Sequence, residues 1–461
     1  MQFTSLAYLG FFAAVFAVHW AVPQKARWAV CLAASAGFYA LLGVPMLAVL
    51  ALCIAVSYLG GLWLQRRRGR RPALALAVVA ALAPLLFFKY FNTLLGAYVP
   101  ESVRAFSLLA PVGISFFTFK AVAYLAEVYK GALPPCRHFG RYALYVSFFP
   151  EVSMGPIQRP GDLMAQIGTP RAFDAGRAVR GAQLMLWGYF EKLVVADNLA
   201  PYVSAGLDAP DLVMGLSVFL ASVLYAVQLY ADFAGYSHIA IGCMQLLGFD
   251  VPENFRAPYF STSVKEFWNR WHISLSSWLR DYVYIPLGGS RCRLRRTCLN
   301  LLIVFALTGL WHGAAWQYVV FGLLHGIILC MERLGLRRAL EQLPRLFRHL
   351  YTVVLLWLTL VIFGAPGLSE GLAVLKGIFT WQSGAKGYTL AAFADTKLLL
   401  ILAASFLLCG PVQALCPKLK AALYAKKAPS PAGMAGLLVL LFLGLMRVTA
   451  GTYSAFIYFQ F

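Results

Sequence analysis

The sequence has 461 residues, of which 61% are hydrophobic and only 12% are charged. Soluble proteins carry about 25% charged residues, so the composition excludes a soluble globular protein and predicts an integral membrane protein. A formal net charge of +21 would suggest nucleic-acid binding in a soluble protein. Here the basic residues lie in short loops between apolar runs, as the positive-inside rule predicts. We therefore expect membrane lipids, and no nucleic acid, as its surroundings.

Apolar runs follow one another along the whole chain. With about 20 apolar residues per span, they predict an all-α polytopic protein with roughly 11 to 13 membrane helices. The runs lie at 3–22, 28–43, 45–64, 73–91, 107–129, 142–158, 180–205, 211–231, 234–249, 298–312, 315–333, 348–364, 396–415 and 433–450. The run at 142–158 is interrupted by Pro150, Gly155 and Pro156. Broken helices at membrane depth line a cavity or pack inside protein.

The basic loops predict the orientation of the chain. Lys25 and Arg27 follow the first run, and the cluster Arg66–Arg71 follows the third. Both loops are expected in the cytoplasm, which places the N-terminus outside. The first run lacks a basic start and a clear cleavage site, so we expect a retained span and not a signal peptide.

The rest of the chain adds no second domain. No internal repeat and no long polar segment is visible, so residues 1–461 are predicted to form one integral-membrane domain. Nine cysteines occur without a C-x-x-C pair, and several lie in apolar runs where a thiol is usually a small hydrophobe. We expect neither a disulfide framework nor a metal site nor a bound cofactor.

The segment 262–285 has a different pattern. At 100° per residue, its tryptophans, Phe267 and its leucines fill one face, and its charged residues fill most of the other. Such a helix lies at an interface or dips into the protein. His272 lies at the seam between the two faces. An interfacial aromatic belt accounts for the tryptophans but does not require this histidine.

His312 ends the nearly apolar run 299–310 and stands between Gly309 and Gly313. Burying a polar side chain at membrane depth costs free energy. His312 is therefore either a core residue with a hydrogen-bond partner or a reactive group. A neutral imidazole in a dry cavity is a competent general base for an alcohol. His325, beside Gly322 and Gly326, suits helix packing instead.

Several stretches together resemble the membrane-bound O-acyltransferase family, and within it the alginate O-acetyltransferase type, which is related to the teichoic-acid D-alanyl transfer protein. They are PVGISFFTFKAVAYLAEVYKG (111–131), SFFPEVSMGPIQRPGDL (147–163), LYADFAGYSHIAIG (229–242), 253–291 and GLWHGAAWQYVVFGLLHG (309–326). Two positions depart from the family pattern: Asn269 stands where an arginine is usual, and His238 where an aspartate is usual.

The resemblance implies a bacterial cell-membrane protein whose helices, some re-entrant or interfacial, surround a central tunnel. His312 then matches the catalytic histidine, and His272 matches the second site position. Five further residues are expected to line or position the tunnel: Trp268, Asn269, Trp271, Trp311 and Trp316. The resemblance also implies an acyl donor, acetyl-CoA or an acyl carrier protein thioester, and an extracytoplasmic esterase-like transferase as partner.

The C-terminal tail, SAFIYFQF (454–461), resembles an aromatic tail found in related systems. The resemblance implies that Tyr458 accepts the acyl group. From composition alone, the same residues suit an interfacial aromatic belt, so both interpretations stand.

We expect transfer of an acyl group, acetyl in the first place, across the membrane to a cell-surface polysaccharide or cell-wall polymer. His312 would act as general base, and His272 would hydrogen-bond the thioester carbonyl or hold the donor. D-alanyl transfer to teichoic acid is the alternative within the same class. A transporter or flippase of a lipid or sugar intermediate, or a non-catalytic scaffold, is the alternative from another class.

Overall fold

The computed structural model describes residues 2–66, 69–95, 111–169, 171–207, 215–380, 395–408, 431–449 and residue 456. Within these ranges every regular element is helical. Six helices there are long and apolar enough to cross a membrane: Val44–Gln65, Arg71–Phe91, Leu216–Leu246, Leu294–His312, Trp316–Glu341 and Arg345–Gly364. Leu6–Ala21, Thr396–Ser405 and Leu438–Arg447 are shorter apolar helices. The all-α polytopic fold is confirmed, and the count of 11 to 13 stays a prediction.

The chain divides into two compact units, Met1–Met185 with Ile239–Pro252 and Leu186–His238 with Glu253–Phe461. The first unit contains the helices Leu6–Ala21, Arg27–Ala40, Val44–Gln65, Arg71–Leu95, Ile114–Lys130, Phe139–Ser147, Phe149–Val152, Pro160–Gly168 and most of Ala175–Tyr189. The single domain predicted from the sequence stays a prediction.

A buried ion pair between Lys120 and Glu151 lies at the centre of the first unit. The ammonium group of Lys120 also donates to the carbonyl of Tyr145, at 2.8 Å, and the Gln158 amide donates to Glu151, at 2.9 Å. A buried charge is tolerated when it is paired and hydrogen-bonded in this way. Residues from two of the motif stretches therefore meet in one polar core, which stabilises the broken run around Pro150.

The second unit contains the histidines of interest. Its helical elements are Phe190–Ala196, Asp197–Leu207, most of Leu216–Leu246, Pro258–Phe260, Val264–Arg270, Ile273–Leu279, Arg280–Tyr284, Leu294–His312, Trp316–Met331, Glu332–Leu336, Arg337–Glu341, Arg345–Gly364, Leu368–Thr380, Thr396–Leu408 and Pro431–Thr449. Three of them, Phe190–Ala196, Arg280–Tyr284 and Glu332–Leu336, are π-helical. Such segments are rare and occur frequently at functional sites.

The two apolar runs at 211–231 and 234–249 form one continuous helix, Leu216–Leu246. The sequence suggested two spans because polar residues near Asp232 interrupt the apolar pattern. In the structure, Asp232 pairs with the buried ammonium group of Lys192 at 2.6 Å, and Lys192 also pairs with Asp197 at 2.8 Å. Because the charge is paired inside the protein, the helix continues through it.

The helices Leu294–His312 and Trp316–Met331 pack with their backbones in close contact. A Cβ atom on Gly309 would lie 2.3 Å from the carbonyl oxygen of Tyr318, and one on Gly322 would lie 2.1 Å from that of Phe305. Both positions therefore require glycine, as in close helix pairs in membranes. This packing fixes the end of the first helix, where His312 lies.

Candidate active site

His312 is the last residue of the helix Leu294–His312, and its side chain is buried. Its imidazole ring lies among aromatic rings, with centroid distances of 4.6 Å to Trp311, 4.8 Å to Phe363 and 6.1 Å to Phe321. The aromatic walls shield the imidazole from bulk water. This is the dry setting in which an imidazole can act as a base.

His272 lies at a break between two short helices. The sequence pattern predicted one amphipathic helix over 262–285, but the structure has Val264–Arg270 and Ile273–Leu279, with His272 between them in a left-handed conformation (φ 43°). The break arises because the segment around Asn254 forms backbone hydrogen bonds with the residues on either side of His272. The Ile273 N–H donates to the Asn254 carbonyl at 3.0 Å, and the Arg256 N–H donates to the Arg270 carbonyl at 2.9 Å.

The break places the His272 ring near Trp311, the residue that precedes His312 in the sequence. The His272 ring is almost completely buried and lies 4.7 Å from Phe233 and 5.8 Å from Trp311. The same indole ring lies 4.6 Å from the His312 ring, so both imidazoles are neighbours of Trp311. The two histidines singled out in the sequence therefore belong to one site.

The surroundings of His272 keep its ring neutral. Burial lowers the pKa of His272 from 6.5 to about 3. Its Nδ1 lies 3.2 Å from the side-chain oxygen of Asn254, which also accepts hydrogen bonds from the backbone N–H of Ser274, at 3.1 Å, and from its hydroxyl, at 2.9 Å.

His325 forms part of a hydrogen-bonded chain. The indole N–H of Trp268 donates to Nδ1 of His325 at 3.1 Å, and Nε2 of His325 lies 3.0 Å from the hydroxyl oxygen of Thr359. Since Nδ1 accepts, Nε2 carries the hydrogen and donates to Thr359. The arrangement supports the packing role expected for His325, with the added function of orienting Trp268.

Two cavities meet at Trp268. The larger one, of about 990 Å³, is lined by five cationic side chains and two carboxylates, together with the apolar residues Leu301, Val304 and Phe305. The cationic residues are Lys265, Arg280, Arg333, Arg337 and Arg338. The smaller cavity, of about 20 Å³, is lined by His312, His325, Trp268 and Trp271 among apolar residues. It holds about one water molecule or a group of similar size.

The other residues predicted to belong to the site differ in their burial and in the cavities that they line. Trp271 is buried in the site, and Asn269 lines the larger cavity from an exposed position. Trp316 is 72% exposed at the start of its helix and lines neither of these two cavities. Tyr458 lies outside the described residues. Phe456, two positions before it, is buried with its ring 4.6 Å from Tyr236 and 5.7 Å from Phe233.

Some polar residues were not singled out in the sequence. Asn254 lies 18 residues before His272, and no local spacing rule connects them. Glu191, completely buried, accepts from the indole N–H of Trp187 at 3.1 Å and lies 2.6 Å from Nδ1 of His238. His238, noted as a departure from the family pattern, is thus the partner of a buried carboxylate.

Comparison with known proteins identifies the family of this chain. The profile of the MBOAT, membrane-bound O-acyltransferase family, matches residues 137–380. The probable alginate O-acetylase AlgI of Azotobacter vinelandii is 32% identical over 505 aligned residues, which cover 100% of both chains. A peptidoglycan O-acetyltransferase of Helicobacter pylori is 34% identical over 75% of this chain and 72% of its own.

A teichoic acid D-alanyltransferase of Bacillus subtilis is 31% identical over 55% of this chain and 66% of its own length. The matched family segment, 137–380, contains both His272 and His312 and both cavities. The chain therefore belongs to the membrane-bound O-acyltransferase family, and it is a membrane-embedded acyltransferase.

Proposed function

We propose that this protein transfers an acetyl group from a thioester donor on the cytoplasmic side to a cell-surface polysaccharide or cell-wall polymer, with His312 as general base. The observation that carries the proposal is the position of His312, which is buried against Trp311, itself a neighbour of His272, and which lines a small cavity that shares Trp268 with the large basic cavity. The acetyl group is favoured because the two relatives above that are named as an acetylase and an acetyltransferase match 100% and 75% of this chain, whereas the D-alanyltransferase matches 55%.

The larger cavity suits a donor that carries phosphate groups. Its five cations against two carboxylates give its lining a net charge of +3. A basic cleft with low-dielectric walls attracts and orients phosphates. The volume of about 990 Å³ lies at the upper end of ordinary ligand sites, and its apolar part can take the chain that leads to the thioester. Acetyl-CoA and an acyl carrier protein thioester both meet these requirements.

The reaction requires one proton transfer in each direction. The unprotonated nitrogen of His312 takes the proton of an acceptor hydroxyl while the hydroxyl oxygen attacks the thioester carbonyl carbon. The resulting tetrahedral adduct collapses with cleavage of the C–S bond, and the thiolate leaves with the proton held by His312. His272, whose ring lies 5.8 Å from Trp311, holds the donor or the acceptor in place for this transfer.

We also propose Tyr458 as the first acceptor. Phe456 is buried against Phe233, and the Phe233 ring lies 4.7 Å from that of His272. Tyr458 follows Phe456 by two positions in the sequence, and the burial of Phe456 beside Phe233 supports this proposal. The phenol would then carry the acetyl group to an extracytoplasmic esterase-like transferase. In this arrangement the N-terminus faces outside and the loops around Lys25 and Arg66 face the cytoplasm.

The test is the acetyl content of cell-wall and surface polymers, measured by mass spectrometry in cells with and without the gene. His312→Ala is expected to remove the gene-dependent acetyl esters while the protein stays in the membrane. His138→Asn is the matched control, because His138 is an exposed N-cap residue and asparagine caps helices well. Gene-dependent acetylation that persists in His312→Ala would contradict the assignment of the base, and D-alanyl esters in place of acetyl esters would contradict the choice of acyl group.

A further inference from the structure

The side-chain oxygen of Asn254 lies 3.2 Å from the Nδ1 atom of His272. Asn254 is 1% exposed, and it comes from the segment before the two short helices, not from either helix. We propose that Asn254 is a positioning residue that holds His272 with its hydrogen on Nδ1, so that Nε2 of His272 faces the chemistry as a hydrogen-bond acceptor. The proposal rests on the proposed function, in which His272 belongs to the active site.

The orientation of the Asn254 amide follows from its neighbours. The backbone N–H of Ser274 points to the Asn254 side-chain atom at 3.1 Å, and a backbone N–H can only donate. That atom must therefore be the oxygen. The Ser274 hydroxyl, at 2.9 Å, donates to the same oxygen. The oxygen and nitrogen of a side-chain amide are usually hard to tell apart. Here the Ser274 backbone N–H, which can only donate, identifies the oxygen.

The tautomer of His272 follows from the amide. An amide oxygen accepts and cannot donate, so the Nδ1 atom 3.2 Å away must carry the hydrogen. A neutral imidazole has one N–H, which leaves Nε2 with a lone pair. Since burial lowers the pKa of His272 to about 3, the ring stays neutral at physiological pH. The hydrogen-bond partner of Nδ1 thus determines whether Nε2 donates or accepts a hydrogen bond.

This result changes the role expected from the sequence. A hydrogen bond from His272 to the thioester carbonyl would require a hydrogen on Nε2, and the tautomer set by Asn254 has none there. His272 instead accepts a hydrogen bond from an N–H or O–H group of the bound donor or acceptor, other than the hydroxyl proton that His312 removes. Polarisation of the carbonyl must come from other donors.

The backbone supports the same arrangement. His272 adopts a left-handed conformation (φ 43°) that is uncommon for a residue other than glycine. Such conformations persist where the surroundings determine them and occur often at active sites. Here the backbone and side chain of Asn254 together bind Ile273, Ser274 and His272, so one residue fixes both the position and the tautomer of the imidazole.

The first test measures the tautomer directly. Full-length protein labelled with ¹⁵N-histidine is reconstituted in lipid, and solid-state NMR spectra of wild type and His272→Asn are subtracted to identify His272. Asparagine tolerates the left-handed conformation, so this variant is expected to fold. The expected spectrum shows a protonated Nδ1 and an unprotonated Nε2. This tautomer is expected to persist in Asn254→Asp and to lose its dominance in Asn254→Leu. A hydrogen on Nε2 in the wild type would overturn the proposal.

The second test asks whether Asn254 acts through His272. Asn254→Leu is expected to lower acetyl transfer by about 10–100-fold in the wild type, the size seen when the partner that orients a functional histidine is removed. In the His272→Asn background the same change is expected to cost less than about threefold, because coupled residues are not additive. Equal losses in both backgrounds would overturn the proposal.

Asn198→Leu is the matched control for this cycle. Asn198 is a buried asparagine whose amide donates to the carbonyls of Leu193 and Val194. Its replacement makes the same polar-to-apolar change without contact with His272, so its effect is expected to be equal in both backgrounds. The NMR result does not depend on turnover, so failure of the proposed function and failure of this inference can be told apart.

Discussion

Trp268 forms the wall between the basic cavity and the small chamber of His312, so its removal should change which acyl groups the enzyme accepts. The indole N–H donates to His325, and the ring lies 5.2 Å from both Phe305 and His325. Trp268→Ala removes the ring that lines both cavities, and the chamber of about 20 Å³ would open to the space of about 990 Å³.

The expected effect follows from the size of the chamber. In the wild type the chamber of about 20 Å³ has room for about one methyl group, such as the methyl of acetyl. Each excess methylene in a tight pocket costs about 1–3 kcal/mol, or a factor of roughly 10–200. Opening the chamber should therefore raise the use of butyryl relative to acetyl thioester by at least about tenfold. The truncation should also destabilise the protein by up to about 3 kcal/mol, below a fully buried Trp→Ala change, because Trp268 is only half-buried.

The assay is the ratio of kcat/KM for butyryl and acetyl thioesters, measured in reconstituted protein. Trp63→Ala is the control, because Trp63 is 38% exposed on the helix Val44–Gln65 and lines neither cavity. A ratio that stays at the wild-type value in folded Trp268→Ala protein would refute the idea that Trp268 limits the chamber.

Three further outcomes are expected. Tyr458→Phe keeps the ring and removes the hydroxyl, so polymer acetylation should be lost; wild-type acetylation, measured by mass spectrometry, would return the tail to a packing role. Charge reversal in the double variant Arg333→Glu/Arg338→Glu should raise the KM for the donor about tenfold, equivalent to about 1.4 kcal/mol. Arg345→Glu, which lies outside the cavity lining, should leave this KM unchanged. An unchanged KM in the double variant would mean that the donor binds elsewhere. Burial lowers the folded-state pKa of His272 below 6.5, to about 3, so the unfolded chain binds the extra proton first and stability should fall as pH drops from about 6.5 towards 3. The unfolding midpoint in detergent should show this loss, and an equal loss in His272→Asn would exclude His272 as its source.

The sequence predicted the class of the fold well because apolar runs are a local property. The membrane helices, the break around Pro150 and the special position of His312 all follow from residues close together in the chain. The resemblance to a family then connected His272 with His312, which lie 40 residues apart and share no periodicity that physics alone would join.

The parts that the sequence did not predict depend on contacts between distant residues. Hydropathy alone divided Leu216–Leu246 at Asp232, because the pairing of Asp232 with Lys192 is visible only in three dimensions. The helical periodicity of 262–285 hid the break at His272, because the hydrogen bonds that stabilise the break come from Asn254 and Arg256. Trp316 was expected at the tunnel from the resemblance; its side chain is 72% exposed and lines neither of the two cavities, and its place in the site stays a prediction.

The central claim is that His312 removes the proton from the acceptor hydroxyl. The most direct measurement is thiol release coupled to acetyl transfer from acetyl-CoA by the purified protein in liposomes, compared among wild type, His312→Ala and His138→Asn. Loss of a general base costs about 10²–10⁴ in rate, so His312→Ala should fall by that factor with little change in donor KM, and His138→Asn should match the wild type. A His312→Ala rate within a few-fold of the wild type would contradict the account.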